Sequence, residues 1–279
     1  MSLHEYNSSR GVITYEKKGL GEPVVCVHGI YPGASHLEYA HNLASLQHAH
    51  TVYALNLIGF GQSDVPRITH TAQMHQHLLR DFITDVVHEP AHIIASGVSC
   101  GIAARLGVYD DPLVRSLVFL SPAVKPDYKE VPGLADRFAN FFLGTLAAGY
   151  SIYEVDASDE GLWSWIKDNY HDPKRVVREK LKQLFTEANE HNKMMAHISL
   201  LCGYFDTDLA NWLPYVRSRV LVIMGVDLMP VPADSWFRQA QWSKQKYLEL
   251  IDGAKAFPHE EQSARVNALI TAFLNATPT

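Results

Sequence analysis

Cysteine is scarce, with three in 279 residues: Cys26, Cys100 and Cys202. An odd number in apolar surroundings excludes a disulfide framework and reads as reduced packing residues of a cytoplasmic protein. Charge is sparse too, at 19% Asp, Glu, Lys and Arg, where an average domain has about 25%. Positive charge is in the minority, since 24 Lys and Arg against 30 Asp and Glu leave a formal net charge of −6. That balance argues against a phosphate-backbone partner, so no nucleic acid is expected. No apolar run approaches the ~18–20 residues of a membrane span, so no membrane partner is expected either. The opening stretch MSLHEYNSSRGVITYEKKG is polar and carries no secretory core. Internal repeats and low-complexity linkers are absent.

What is present is an alternation. Apolar runs rich in Val, Ile and Leu cover residues 24–30, 51–58, 91–97, 115–122, 217–225 and 246–252. Such runs suit parallel strands covered on both faces. Helical spacing marks residues 34–48, 71–87, 100–109 and 260–275 between or after them. Strand–helix alternation implies βαβ units with right-handed crossovers. The segment 125–212 breaks the pattern, with several helical stretches and no convincing strand. Within it, Asp172-Pro173 reads as an N-cap followed by Pro at the first helical position. The expected class is α/β, with a mostly parallel sheet of about eight strands and helices on both faces. Residues 1–124 and 213–279 form the core domain, entered by a hairpin near 5–20. Residues 125–212 form a helical lid over the C-terminal ends of the strands.

Two motifs carry chemistry. Gly97-Val98-Ser99-Cys100-Gly101 is G-x-S-x-G between an apolar run and a helix. In that context it is a nucleophile elbow, a tight turn that lifts a serine hydroxyl above the sheet, here Ser99. His28-Gly29-Ile30 ends an upstream run. The Ile30 and Cys100 N–H groups are then the natural pair for an oxyanion hole. The plain alternative for both is a strand-ending turn.

The order VVCVHGI, VYALNLIGFGQSD, IIASGVSCGIAARL, SLVFLSPA, a helical insertion, RVLVIMG and DGAKAFPHEE resembles the α/β-hydrolase superfamily over roughly residues 10–275. The likeness is to its lidded, esterase- and epoxide-hydrolase-like branch. It implies a serine-type hydrolase acting on ester, thioester or lactone carbonyls of a small apolar molecule held under the lid. It also implies triad partners, and these are degenerate. In relatives the acid follows the penultimate strand, where this chain has Gly225-Val226-Asp227-Leu228. The in-register residue is Leu228, which leaves Asp227 as the candidate acid and Asp127 as a second donor. The histidine of relatives lies in Gly-x-x-His-Phe-Pro-x-x-Glu, and the corresponding stretch is Gly253-Ala254-Lys255-Ala256-Phe257-Pro258-His259. The histidine slot is therefore Ala256, and His259 is a candidate base three residues on.

No cofactor is implied. Gly59-Phe60-Gly61 lacks the third glycine and the helix of a dinucleotide site. His75 and His77 on a helix point apart, as i and i+2 positions do, and neither they nor His48 and His50 suggest a metal. Phe138, Phe141, Phe142, Trp163 and Trp165 either line an apolar pocket or pack the lid onto the core. Three functions stay open: a weak serine hydrolase, a non-catalytic ligand-binding or scaffold protein, and a lyase or cyclase using the oxyanion hole alone.

Overall fold

The computed structural model describes residues 3–123, 133–145, 147–176, 178–190, 193–205, 209–228 and 246–276. One eight-stranded sheet has the order β1-β2-β4-β3-β5-β6-β7-β8. The strands are β1 His4–Ser8, β2 Gly11–Lys18, β3 Glu22–Val27, β4 His50–Leu55, β5 Ala91–Ser96, β6 Val114–Leu120, β7 Arg219–Gly225 and β8 Lys246–Ile251. The expected entry hairpin is β1–β2, antiparallel, and β2 pairs antiparallel with β4. The remaining pairings are parallel. All six apolar runs became strands; β3 to β7 are buried on both faces and so have no need of a polar alternation, while β8, at the sheet edge, is partly exposed.

Period-two side chains sort the core onto two faces. Val25, Val27, Ile93, Ala95, Leu117 and Phe119 face the cluster that holds α2 Ala72–Phe82 and α3 Ser99–Tyr109. Val24, Cys26, Val52, Ala54, Ile94 and Val118 face α1 Ala40–Leu46 and the C-terminal helix Ser263–Asn275. All three cysteines are free and buried. The helix read over 71–87 is capped by Thr71, whose side chain accepts from Met74 N–H, and is α-helical only to Phe82. It closes as a π-turn, Ile83–Val87, stopped by His88 at φ 64°.

Between β6 and β7 the described residues contain helices and no strand: α4 Leu134–Thr145, α5 Ala147–Asp156, α6 Asp159–Asn169, α7 Arg178–Asn189, α8 Met194–Leu201 and α9 Leu209–Trp212. Asp172 does cap its own turn, accepting from Lys174 N–H, but that turn is a short 3₁₀ segment, Pro173–Arg175. The long helix begins separately at Arg178. Among the described residues no helix is long and apolar enough to cross a membrane.

β3 is flanked by β4 on one side and β5 on the other, so the connections leaving β3 and β5 diverge. In an open α/β sheet the crevice at such a reversal, outside the C-terminal strand ends, is where ligands bind. The loops opening there begin with His28-Gly29-Ile30 and with Gly97.

Three buried histidines lie beside that crevice. His28 Nδ1 donates to Gly29 O at 2.7 Å, and its Nε2 accepts from Leu57 N–H at 3.1 Å. His70 and His75 stack with ring centroids 5.6 Å apart. His75 is buried on the core side of α2 while His77 is exposed, the divergence that their spacing implies. Burial pushes His28 and His70 down to about 4 and His75 well below the ordinary imidazole value. The unfolded chain therefore takes up protons below about pH 6.5 that the native state refuses until about pH 4. Stability is whole above this window and falls as the pH drops through it, by up to ~1.4 kcal/mol per pH unit for each such group. Urea unfolding midpoints at pH 7 and pH 5 check this. A clear drop at pH 5 is expected, and equal midpoints would refute the neutral burial of these rings.

Candidate functional site

Glu38 organises the first loop. It lies on a 3₁₀ turn, His36–Tyr39, capped by Ser35. Its carboxylate accepts from Gly29 N–H at 2.9 Å and from Tyr31 O–H at 2.8 Å. His259 Nε2 lies 3.2 Å from its other oxygen, and both side chains are fully buried. Burial alone raises this carboxyl. The hydrogen bond and charge of His259, the nearby His28 and the Gly29 N–H together outweigh it and hold the group far below the usual carboxylate range. The His259 ring stacks on Tyr39 at 5.5 Å, and among the described residues its Nδ1 has no partner. His259, the candidate base, is thus committed to Glu38 and ties the last loop to the first.

The second loop differs from expectation in a decisive way. The strained residue of an elbow has a left-handed backbone and an exposed side chain. Here that residue is Gly97, at φ +55° directly after β5, where an added Cβ would meet nothing within 4 Å. Ser99 has no positive φ. It is the first residue of α3, fully buried, and its Oγ donates to His28 O at 2.7 Å. The elbow frame is therefore read as Ala95-Ser96-Gly97-Val98-Ser99, with small buried residues two before and two after the turn. The G-x-S-x-G match lies two residues downstream of it.

The hole donors shift with the turn. Cys100 N–H is spent on Gly97 O at 3.3 Å, inside the first helical turn. Cys100 Sγ faces Ala95 O at 3.3 Å. Val98 follows the turn residue, and among the described residues neither Val98 N–H nor Ile30 N–H has a hydrogen-bond partner. Of the two N–H groups expected to form the hole, that of Cys100 is thus hydrogen-bonded and that of Ile30 is not.

The candidate triad is not assembled. Asp227 Oδ2 pairs with His171 Nδ1 of the insertion at 2.5 Å, and the two side chains are 39% and 47% exposed. Such a half-exposed pair is worth at most about 1 kcal/mol. Ala256 donates its N–H to Asn169 O at the end of α6, at 3.0 Å. Tyr170 stacks on Phe257 at 5.1 Å and bonds Glu260 at 2.9 Å. Tyr31, Trp165 and Phe257 complete the packing, with Trp165 stacked on Tyr31 at 4.5 Å. Of the aromatic candidates, Trp165 joins the insertion to the core, while Phe138, Phe141 and Phe142 are more than half exposed. Asp127 lies outside the described residues.

A family model, described as alpha/beta hydrolase fold, matches residues 22–263. The chain belongs to this family. The homologues include a named hydrolase, which supports a hydrolase at the family level. This is a 2-hydroxy-6-oxo-6-(2'-aminophenyl)hexa-2,4-dienoic acid hydrolase of Metapseudomonas resinovorans, 24% identical over 270 residues, covering 92% of this chain and 83% of that one. A second relative is the dihydrolipoyllysine-residue acetyltransferase component of an acetoin cleaving system of Cupriavidus necator. It is 36% identical over 126 residues, 42% of this chain, and the chain spans only 33% of its length. Among solved structures, a serine hydrolase involved in carbazole degradation superimposes with a TM-score of 0.79 at 18% identity, over 98% of both chains. That similarity speaks for the alpha/beta hydrolase fold alone.

Sequence reading missed Gly97, Val98, Glu38 and His171. Gly97 had a signal, because the turn residue follows the strand directly and β5 is six residues long. Glu38 had none. The clearest check of this geometry is Glu38→Ala, which strands Gly29 N–H, Tyr31 O–H and His259 in the interior. A loss of about 3–5 kcal/mol is expected, against about 1–3 kcal/mol for Ser99→Ala, which leaves one buried carbonyl unpaired. Chemical denaturation measures both, and a Glu38→Ala variant as stable as the parent would sink this account.

Proposed function

We propose that this chain binds a small carbonyl compound between the Ile30 and Val98 N–H groups and does not run covalent serine catalysis through Ser99. One observation carries the reading: the left-handed turn after β5 presents Gly97, which has no side chain to act. Two unspent backbone donors beside a turn with open space above it suit a polarised carbonyl oxygen. The helical insertion acts as a lid over this crevice, and its aromatic packing supports a largely apolar ligand. The free, buried cysteines support a cytoplasmic setting.

Acyl transfer from Ser99 is the competing reading. It requires a hydroxyl that substrate reaches and a base within about 2.6–3.2 Å. Burial of Ser99, its bond to His28 O and the commitment of His259 to Glu38 all count against it. Chemistry that needs only carbonyl polarisation, of the lyase or cyclase type, is compatible with the reading. So is ligand binding without turnover. Losing a triad's relay leaves only about 10³–10⁴ over water from hole and binding.

A fluorophosphonate probe read by intact mass tests this. No adduct is expected on the parent protein, and Ser99→Ala should hydrolyse activated esters no more slowly than the parent. The double variant Gly97→Ser with Ala256→His restores a hydroxyl on the turn and an imidazole in the family slot. It should label where the parent does not. A probe adduct mapped to Ser99 in the parent would overturn the proposal.

A further inference from the structure

A second polar constellation lies in the insertion, facing the first loop. Ile30, Tyr31, Pro32, Gly33 and Phe60 meet Tyr153, Lys193, His197 and Leu200 around a cavity of about 10 Å³. That is room for one water-sized group. His197 is 8% exposed, and its Nε2 lies 2.7 Å from Asp156 Oδ2. The Nε2–H donates to this carboxylate, which leaves Nδ1 as the acceptor of a neutral ring. That Nδ1 is buried and has no protein partner among the described residues. Burial lowers the His197 pKa against the opposing hydrogen bond of Asp156, consistent with a neutral ring.

Lys193 is 3% exposed and hydrogen-bonds the Glu187 carbonyl. The Glu187 carboxylate is 3.6 Å away, beyond hydrogen-bond reach. An ammonium has three donors, so Lys193 keeps donors unspent. The other hydroxyls on the wall are committed, Tyr153 to Ala188 O at 2.5 Å and Tyr31 to Glu38 at 2.8 Å. Among the described residues the unpartnered acceptor on the cavity wall is His197 Nδ1, set against the spare donors of Lys193, while the unpartnered Glu187 Oε2 lies off that wall. An anion is disfavoured, because Glu187 and Asp156 already outnumber the single lysine. A group that both donates and accepts, an O–H, satisfies His197 and Lys193 together.

We propose that this cavity is a hydroxyl-binding subsite, in which an O–H group donates to His197 Nδ1 and accepts from Lys193 Nζ. Ile30 stands both on its wall and at the carbonyl position, so the ligand class is a hydroxy-carbonyl compound with the two oxygens a few bonds apart. This rests on the carbonyl-binding reading above. In the free protein the same position is filled by one water molecule.

Two measurements separate the sources and the readings. The first titrates hydroxyacetone and acetone into the full-length protein, following the Ile30 and Val98 amide resonances. Hydroxyacetone should bind about tenfold tighter, as one additional buried hydrogen bond implies. His197→Phe, which fills the cavity and removes the acceptor, should erase the difference and leave acetone binding unchanged. Equal affinities of the two probes in the parent would overturn the subsite while leaving the carbonyl reading standing. Failure of both probes to move those amides would instead sink the carbonyl reading. The second measurement is a high-resolution crystal structure of the free protein. Density for a water within hydrogen-bond distance of both His197 Nδ1 and Lys193 Nζ is expected, and a dry cavity overturns the subsite whatever the titration shows.

Discussion

A single buried carboxylate holds together the loops at the C-terminal ends of the strands. Glu38 binds the backbone and a side chain of the loop after β3, and it also engages His259 from the loop after β8. Those loops are 221 residues apart in sequence at this contact. Two chain segments that close so large a loop need a strong, directional contact, and a charge hydrogen-bonded on every side in a dry interior is one. The open Ile30 N–H is a consequence. Glu38 takes the N–H before it and the hydroxyl after it, which fixes the loop without using Ile30 itself.

The other half of the crevice depends on a backbone conformation. A left-handed turn between a strand and a helix is costly for most residues and free for glycine. In relatives that carry a nucleophile there, the strain accompanies the function. With glycine in the same conformation the turn persists without a reactive group. The amide after it still points free, while the next amides enter the helix. Geometry for polarising a carbonyl and geometry for attacking it are thus separable, and the proposed function assigns only the first to this chain.

Much of the architecture was legible because it rests on hydrophobic patterning. The strands β3 to β8, the entry hairpin and the helical stretch between β6 and β7 all follow from runs and periods in the sequence. The candidate site was legible only in part. Ile30 follows from its place after a strand, and Ala256 from an in-register loop. Ser99 is legible as part of a short motif, but its burial and its place two residues past the left-handed turn are not. The two-residue offset appears only when the strand end is known, and strand ends are the least certain part of any pattern reading. Glu38, His171 and the Asp156–His197 pair carry no local signal. Their partners come from other elements, and only the fold brings them together.

The seam between the insertion and the last loop has a kinetic meaning. Ala256 N–H to Asn169 O, His171 N–H to Glu261, and the Tyr170–Phe257 stack form one continuous zipper. It is built partly of main chain, so side-chain rotation alone does not part it. If the insertion is the lid proposed above, segments fastened this way would separate as a unit, on the microsecond-to-millisecond scale of lid motions rather than the nanoseconds of rotamer exchange. Under that proposal, traffic into the crevice would run at the pace of the door and not of the visitor: past a certain concentration, a more crowded solution would no longer shorten the wait.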